Sequence, residues 1–169
     1  MAQIRAEHIF NATEDTYWGK IFFAEEYNRR LHLEALRFLE WREVRVEDKG
    51  DYVERTVEVV PRVGELPGPI KKLIGDRIGY VERGIYDKRA RRYRITVTPS
   101  RLADKLTITG ELFTEPAPEG RCRRIYLGRV EARIFGVGGL LEKLIVSDLE
   151  KSLETSARFT NQYIKEKGL

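Results

Sequence analysis

Sulfur is almost missing from this chain, which has one cysteine, Cys122, and one methionine in 169 residues. A lone thiol closes no internal disulfide, and that usage fits a reducing compartment, so a cytoplasmic protein is expected. Histidine is scarce too. His8 and His32 are the only two, and neither belongs to a cysteine or carboxylate set at metal-ligand spacing, so no zinc site is expected. No apolar run approaches the ~20 residues that a membrane helix needs. The opening MAQIRAEHIF carries Arg5 and Glu7 inside its apolar stretch, so it reads as a strand and not a signal peptide. The chain has no Gly-Lys-Ser/Thr, which removes the P-loop, and no Gly-x-Ser-x-Gly, which removes the hydrolase elbow. Neither sign of charge is scarce. The 31 basic and 27 acidic residues leave a net charge of +4 and are mixed almost everywhere, which describes a solvated surface and not a nucleic-acid footprint.

What is present fits one globular domain spanning residues 1–169, with 41% hydrophobic and 34% charged residues. Residues 3–10 read as a strand. From Thr13 to about Leu39 the apolar positions follow helical spacing with one phase break near Ala24, so two short consecutive helices are expected. Then comes a long β region. WREVRVED and DYVERTVEVV flank a hairpin turn at Lys49-Gly50, GYVERGIYD and RRYRITVT flank a basic tip, and DKLTITGELFTE and CRRIYLGRVEARIF flank PAPEG. Period-two alternation such as Tyr93, Ile95, Val97 against Arg92, Arg94, Thr96 predicts an antiparallel sheet with one polar face, seven strands in all. The interruption GELPGPIKKLIGDR, with two prolines and three glycines, reads as a flap at the sheet's edge, with a helical turn from Pro69 through Leu73. A helix over 139–167 closes the chain. Its stripe of Leu141, Leu144, Ile145, Leu149, Ser152, Leu153, Ser156, Phe159 and Tyr163 recurs at 3.6 spacing, long enough to cross the whole sheet.

Glycines crowd the join FGVGGLLEKLI. A dinucleotide fingerprint needs a βαβ unit with a later parallel strand, and only one helix follows here. Context therefore assigns Gly136, Gly138 and Gly139 to a sharp corner that brings the helix close to the sheet.

The resulting order is β-α-α-β6-α, an α+β helix-grip arrangement in which a seven-stranded curved antiparallel sheet holds a long C-terminal helix. In this order, and in FFAEEYNRRLHLEALRFLEWREV, LPGPIKKLIGDRIGYVERGIYD and GRVEARIFGVGGLLEKLIVSDLEKSLE, the chain resembles the START-like, or SRPBCC, superfamily. It is similar to its uncharacterised bacterial members and, more faintly, to polyketide cyclases and PRELI-type phospholipid-transfer domains. The resemblance covers nearly the whole chain and is one of patterning, without catalytic signatures. It implies a cavity between sheet and helix that binds, and in some members transfers, a lipid or other hydrophobic small molecule, with no cofactor.

Hairpin registers indicate what would line such a cavity. Pairing Tyr86 with Tyr93, Val97 with Leu106 and Leu112 with Tyr126 sets Tyr80, Glu82, Tyr86, Tyr93, Ile95, Ile108, Leu112, Tyr126, Val130 and Ala132 on one inner face. Gly84, Gly110 and Gly128 share that face, opposite Ser152 and Ser156, with Phe159 further along the stripe. Small residues facing small residues leave room for a ligand, or else allow strong curvature and close helix approach. Glu82, among tyrosines and on the same face as Arg124, is either a polar anchor for a ligand headgroup or a structural ion pair.

Two basic tips meet at one end of such a meander. Lys88, Arg89, Arg91, Arg92 and Arg121 there either contact an anionic membrane or simply protect the hairpin ends. Cys122 reads as a buried strand thiol. Two rivals to ligand binding stay open: a polyketide cyclase-type enzyme with Glu82 or a tyrosine as acid or base, and a ligand-free interaction module using outward Ile125 and Leu127.

Overall fold

The structure is a computed structural model that describes residues 1–169. Strands β1 (Ala2–Phe10), β2 (Glu40–Asp48), β3 (Tyr52–Val60), β4 (Tyr80–Asp87), β5 (Arg92–Pro99), β6 (Leu106–Ala117) and β7 (Arg121–Ala132) form one sheet in the order β1-β7-β6-β5-β4-β3-β2. Every neighbouring pair is antiparallel. The helix-grip architecture expected from the sequence is therefore the observed one. Helix α1 (Glu14–Thr16) runs on as a π-helical turn, Tyr17–Ile21, and α2 (Glu25–Arg29) likewise runs on into Arg30–Ala35. Helix α3 (Gly68–Ile74) joins β3 to β4, and α4 (Gly138–Lys167) follows β7.

Local chemistry sets these boundaries. The Thr13 hydroxyl accepts from the Thr16 amide at 3.2 Å and caps α1. The phase break near Ala24 is the joint between α1 and α2. It is bridged by buried Asn28, whose side-chain amide donates to the Phe22 and Ala24 carbonyls at 2.8 and 2.9 Å. The first hairpin turn falls one residue later than expected, because the Lys49 amide donates to the Tyr52 carbonyl and leaves Gly50 (φ 89°) and Asp51 at the tip. At the corner before α4, Gly136 has φ 80°, and a Cβ on Gly138 would stand 2.3 Å from the Ala132 carbonyl oxygen. The corner is steric and needs no phosphate.

One register is corrected. β4–β5 and β6–β7 pair as expected, but Val97 faces Ile108 and Ile95 faces Gly110, two residues from the expected alignment. The connection is a wide turn in which Lys105 and Leu106 amides donate to the carbonyl of Leu102, itself at φ 64°. A slip of two preserves faces, so the inner-face assignment survives.

The 64–77 segment is also corrected. Its helix turns Ile70 and Ile74 inward against Leu106, Val130 and Leu141, so it plugs one end of the fold between sheet and α4 and is not a flap at the edge. Helix α4 packs closely on β1, β7 and the Arg30–Ala35 turn, and makes no comparable approach to β3, β4, β5 or β6. Buried Arg124 fixes that docking, donating to the Leu153 carbonyl and Ser156 hydroxyl, each at 2.9 Å. No helix is long and apolar enough to cross a membrane.

Candidate functional site

The hydrophobic interior comes in two pieces. One cluster, at the end holding α1 and α2, includes Phe10, Tyr17, Trp18, Tyr86, Tyr93, Leu112, Tyr126 and Tyr163. The other, at the α3 end, consists of Ile70, Ile74, Leu106, Val130 and Leu141. Only partly buried side chains, Val146 and Leu149 of α4, touch both. Between the clusters the sheet's inner face carries Tyr80, Glu82, Ile95, Val97 and Ile108, and all five keep part of their surface accessible despite facing inward. The smaller cluster is a satellite of the main core, and these five inner-face residues lie between the two.

Beside this interruption is an open cleft of about 630 Å³. It lies where β2 and β4 begin and β3 and β5 end, and is lined by inner-face Trp41, Val59, Tyr80 and Pro99 together with Leu33 and Leu39. Glu82 and Val97 are the next inner-face residues along β4 and β5. The cleft wall includes a stacked pair, with His32 lying parallel to Trp41 at 4.9 Å. Burial holds the His32 imidazole down to about 4, partly offset by the bond between its Nδ1 and the Asn28 carbonyl.

A polar cluster sits within the apolar walls. Register places Arg55 of β3 opposite Gly84, hence on the inner face, and Arg55 is 5% exposed. Its guanidinium lies 4.8 Å from the Phe22 ring, 5.3 Å from Phe23 and 5.2 Å from Tyr93, and Nε donates to the Tyr93 hydroxyl at 3.2 Å. Its Nη1 has no hydrogen-bond partner. The Tyr93 hydroxyl donates in turn to Glu82 Oε1 at 3.5 Å. Burial pushes the Glu82 carboxyl above its ordinary range, opposed by the Arg55 charge and the tyrosine bond. Burial likewise pushes the Tyr126 phenol up to about 12.

The sequence-derived site residues divide accordingly. Tyr80, Glu82, Ile95 and Ile108 border the interruption, and Ser152 on α4 is partly buried. Tyr86, Leu112, Val130 and Phe159 are close-packed in the two clusters, Tyr86 stacking on Trp18 at 4.3 Å. Tyr93 and Tyr126 are buried as well. Their rings correct the reading of the inner-face glycines. A Cβ on Gly84 would lie 1.7 Å from the Tyr93 hydroxyl, and one on Gly110 would lie 2.6 Å from the Tyr126 hydroxyl. Gly128 is covered by Tyr126 and Ile4. The glycines are slots for tyrosine rings and supply no empty volume.

Arg124 is likewise corrected: with Ser156 it anchors the helix, and it does not pair with Glu82. Its remaining hydrogen-bond partner is His8 Nδ1 at 3.1 Å. Arg55 is the residue the sequence reading missed. Its signal was the alternation Val53, Arg55, Val57, Val59, which extends the β4 register by one strand.

At the other end the basic tips are largely neutralised. Lys88 pairs with Asp48 at 2.8 Å, Arg91 with Asp15 and with buried Glu14, and Arg92 with Glu111. Arg91 is thus a clamp on α1, since Glu14 also accepts from Thr114 at 2.6 Å. Arg121 donates to the Pro118 carbonyl at 3.0 Å, and Arg89 stays exposed. Of the two outward apolar residues expected there, Ile125 is buried at 2% exposure and Leu127 is partly buried. Cys122 is wholly buried, its thiol pushed up to about 11 by that burial. No three His, Cys, Asp or Glu side chains converge as a metal site would require.

A curved antiparallel sheet gripping a long terminal helix is the START-like helix-grip fold. Solved structures agree on the fold. The Zhui aromatase/cyclase from Streptomyces sp. R1128 superposes with a TM-score of 0.69 at 10% identity, over 99% of this chain and 96% of that one. Norcoclaurine synthase from Thalictrum flavum gives 0.67 at 16%, over 98% and 87%. That enzyme is also known in complex with dopamine and hydroxybenzaldehyde. A START superfamily protein from Mycobacterium smegmatis gives 0.62 at 11%, over 97% of each chain. No curated protein matches by sequence. Residues 6–164 match the family described as "Protein of unknown function (DUF2505)", and the chain belongs to that family.

Proposed function

We propose that this domain binds a small molecule with an apolar body and at least one polar group, held between the two hydrophobic clusters. One observation carries the reading: inward-facing Tyr80, Glu82, Ile95, Val97 and Ile108 keep accessible surface at the place where the core is interrupted. Five such residues under a helix gain burial if an apolar guest fills the space, at about 25 cal/mol per Å² removed from water. Arg55, Tyr93 and Glu82 supply the polar contact. Nη1 of Arg55 offers unpaired donors, and a carboxyl held toward its protonated form can donate as well as accept. The cleft beside Tyr80 is the entrance. That a neighbour in this fold holds small aromatic molecules supports the same use here. The single buried thiol supports a cytoplasmic setting, and carriage of a lipid between membranes is one form the binding takes.

Native mass spectrometry of protein purified from its own host, followed by organic extraction, tests this directly. The expected result is a complex heavier than the bare chain that releases an apolar compound. A bare mass under gentle conditions, together with no shift from an added library of apolar compounds, refutes it.

A second reading, catalysis of the cyclase kind, draws on Glu82 alone, because a partly buried carboxyl beside a tyrosine hydroxyl is suited to proton transfer. It requires turnover of the bound compound with a pH–rate profile that loses its Glu82 limb in Glu82→Gln. Binding without turnover excludes it.

A further inference from the structure

At the α3 end of the fold an aromatic side chain stands entirely in solvent. Phe135, in the corner between β7 and α4, is 104% exposed. Leu140, in the first turn of α4, is 40% exposed. Neither contributes to either hydrophobic cluster. Around them are cations. Arg133 lies two residues before Phe135, and its amide donates to the Lys105 carbonyl at 2.8 Å, which places the 100–105 connection beside the corner. Lys143 is one helical turn beyond Gly139, and the Arg101 guanidinium lies over Gly75 at the end of α3. All four side chains are exposed, and none joins an ion pair. Of the carboxylates in these two connections and the first turn of α4, Glu142 is turned inward onto the Ala132 amide, and only Asp104 is exposed. The opposite end differs in kind, since Lys88, Arg91 and Arg92 there are each bound to a carboxylate.

We infer that this end docks on an anionic lipid bilayer, with Phe135 entering the interface and Arg101, Lys105, Arg133 and Lys143 meeting headgroup phosphates. An unpaired ring at a loop tip has no folded-state use and costs the protein exposed apolar surface. Rings at this depth favour the headgroup boundary, and basic side chains around them add electrostatic attraction that fades within a Debye length. Within these two connections and the first turn of α4, four unpaired cations against one exposed carboxylate favour an anionic surface, and a bilayer offers both an apolar layer for the ring and a spread of phosphates for the cations. The cleft beside Tyr80 opens at this same end of the strands.

The test is co-sedimentation of the full chain with vesicles of phosphatidylcholine alone and of phosphatidylcholine with phosphatidylglycerol, at low and physiological salt. Binding is expected only with the anionic vesicles, weakening as salt rises. It should fall at least tenfold in Phe135→Ser and in the double variant Arg133→Glu, Lys143→Glu, all at exposed positions where folding is unaffected. A Phe135→Trp variant should add blue-shifted emission on binding. Three results overturn the inference: no binding to anionic vesicles, binding unchanged in Phe135→Ser, or a concentration-dependent dimer that Phe135→Ser abolishes.

Discussion

Gly84 and Tyr93 meet so closely that the strand chemistry of one is decided by the other. The ring lies across the glycine, and its hydroxyl occupies the point where a side chain would start. Gly84→Ala is therefore expected to destabilise the fold by about 1–3 kcal/mol through overpacking, read as a lower urea midpoint, while the exposed neighbour Ile85→Ala stays within about 0.5 kcal/mol. Glu82 sets a pH dependence. Its carboxyl titrates above 4.5, the ordinary value, in the folded protein. Unfolding therefore releases a proton as pH rises from about that value through the folded pKa, and stability declines across that window. Glu82→Gln removes the decline. The variant should match the wild type near about pH 4 and exceed it increasingly toward neutrality, as urea titrations at several pH values will measure. Arg55 escaped sequence reasoning for a physical reason: an arginine flanked by Glu54 and Thr56 reads as solvent-facing until the β3–β4 register turns it inward.

Among the elements, α4 is held by polar contacts along its length, from Glu142 on the Ala132 amide to Thr160 on the Tyr27 hydroxyl. Near its end, Asn161 exchanges hydrogen bonds with the Asn11 amide and Ile9 carbonyl of the β1 terminus, each at 2.9 Å. Mid-helix, buried Arg124 donates to Leu153 and Ser156 and stacks over Phe10 at 4.9 Å. Arg124→Ala leaves a cavity and unpaired acceptors, so a loss of about 2–4 kcal/mol is expected. Hydrogen exchange should rise first in α4, from Leu153 onward. Strand number, order and facing were legible because alternation and turn residues are local signals. The slip between β5 and β6 was not, since the Leu102 turn is set by a single left-handed residue that no composition marks. The role of α3 was hidden likewise: two prolines predict where its helix starts, but only packing against Leu106 and Val130 shows that it plugs an end. The glycine slots misled because a missing side chain looks the same in sequence whether a ligand or a neighbouring ring fills the space.

Taken whole, the molecule has a dense aromatic end, a smaller aliphatic end stoppered by α3, and between them inner-face residues that keep part of their surface accessible. The ligand reading follows from those partly accessible inner-face residues. Val97 lies in the interruption, facing Ile108 and Glu82 across its two neighbouring strands. Enlarging it asks the fold directly whether room exists there. In a filled core, Val97→Phe costs about 1–3 kcal/mol of overpacking. With a cavity, the added ring gains burial and the protein loses its guest. We therefore predict that Val97→Phe is at least as stable to urea as the wild type and no longer binds the neutral apolar dye Nile red, which the wild type takes up. A variant destabilised by more than about 1 kcal/mol that binds the dye as before would contradict the account.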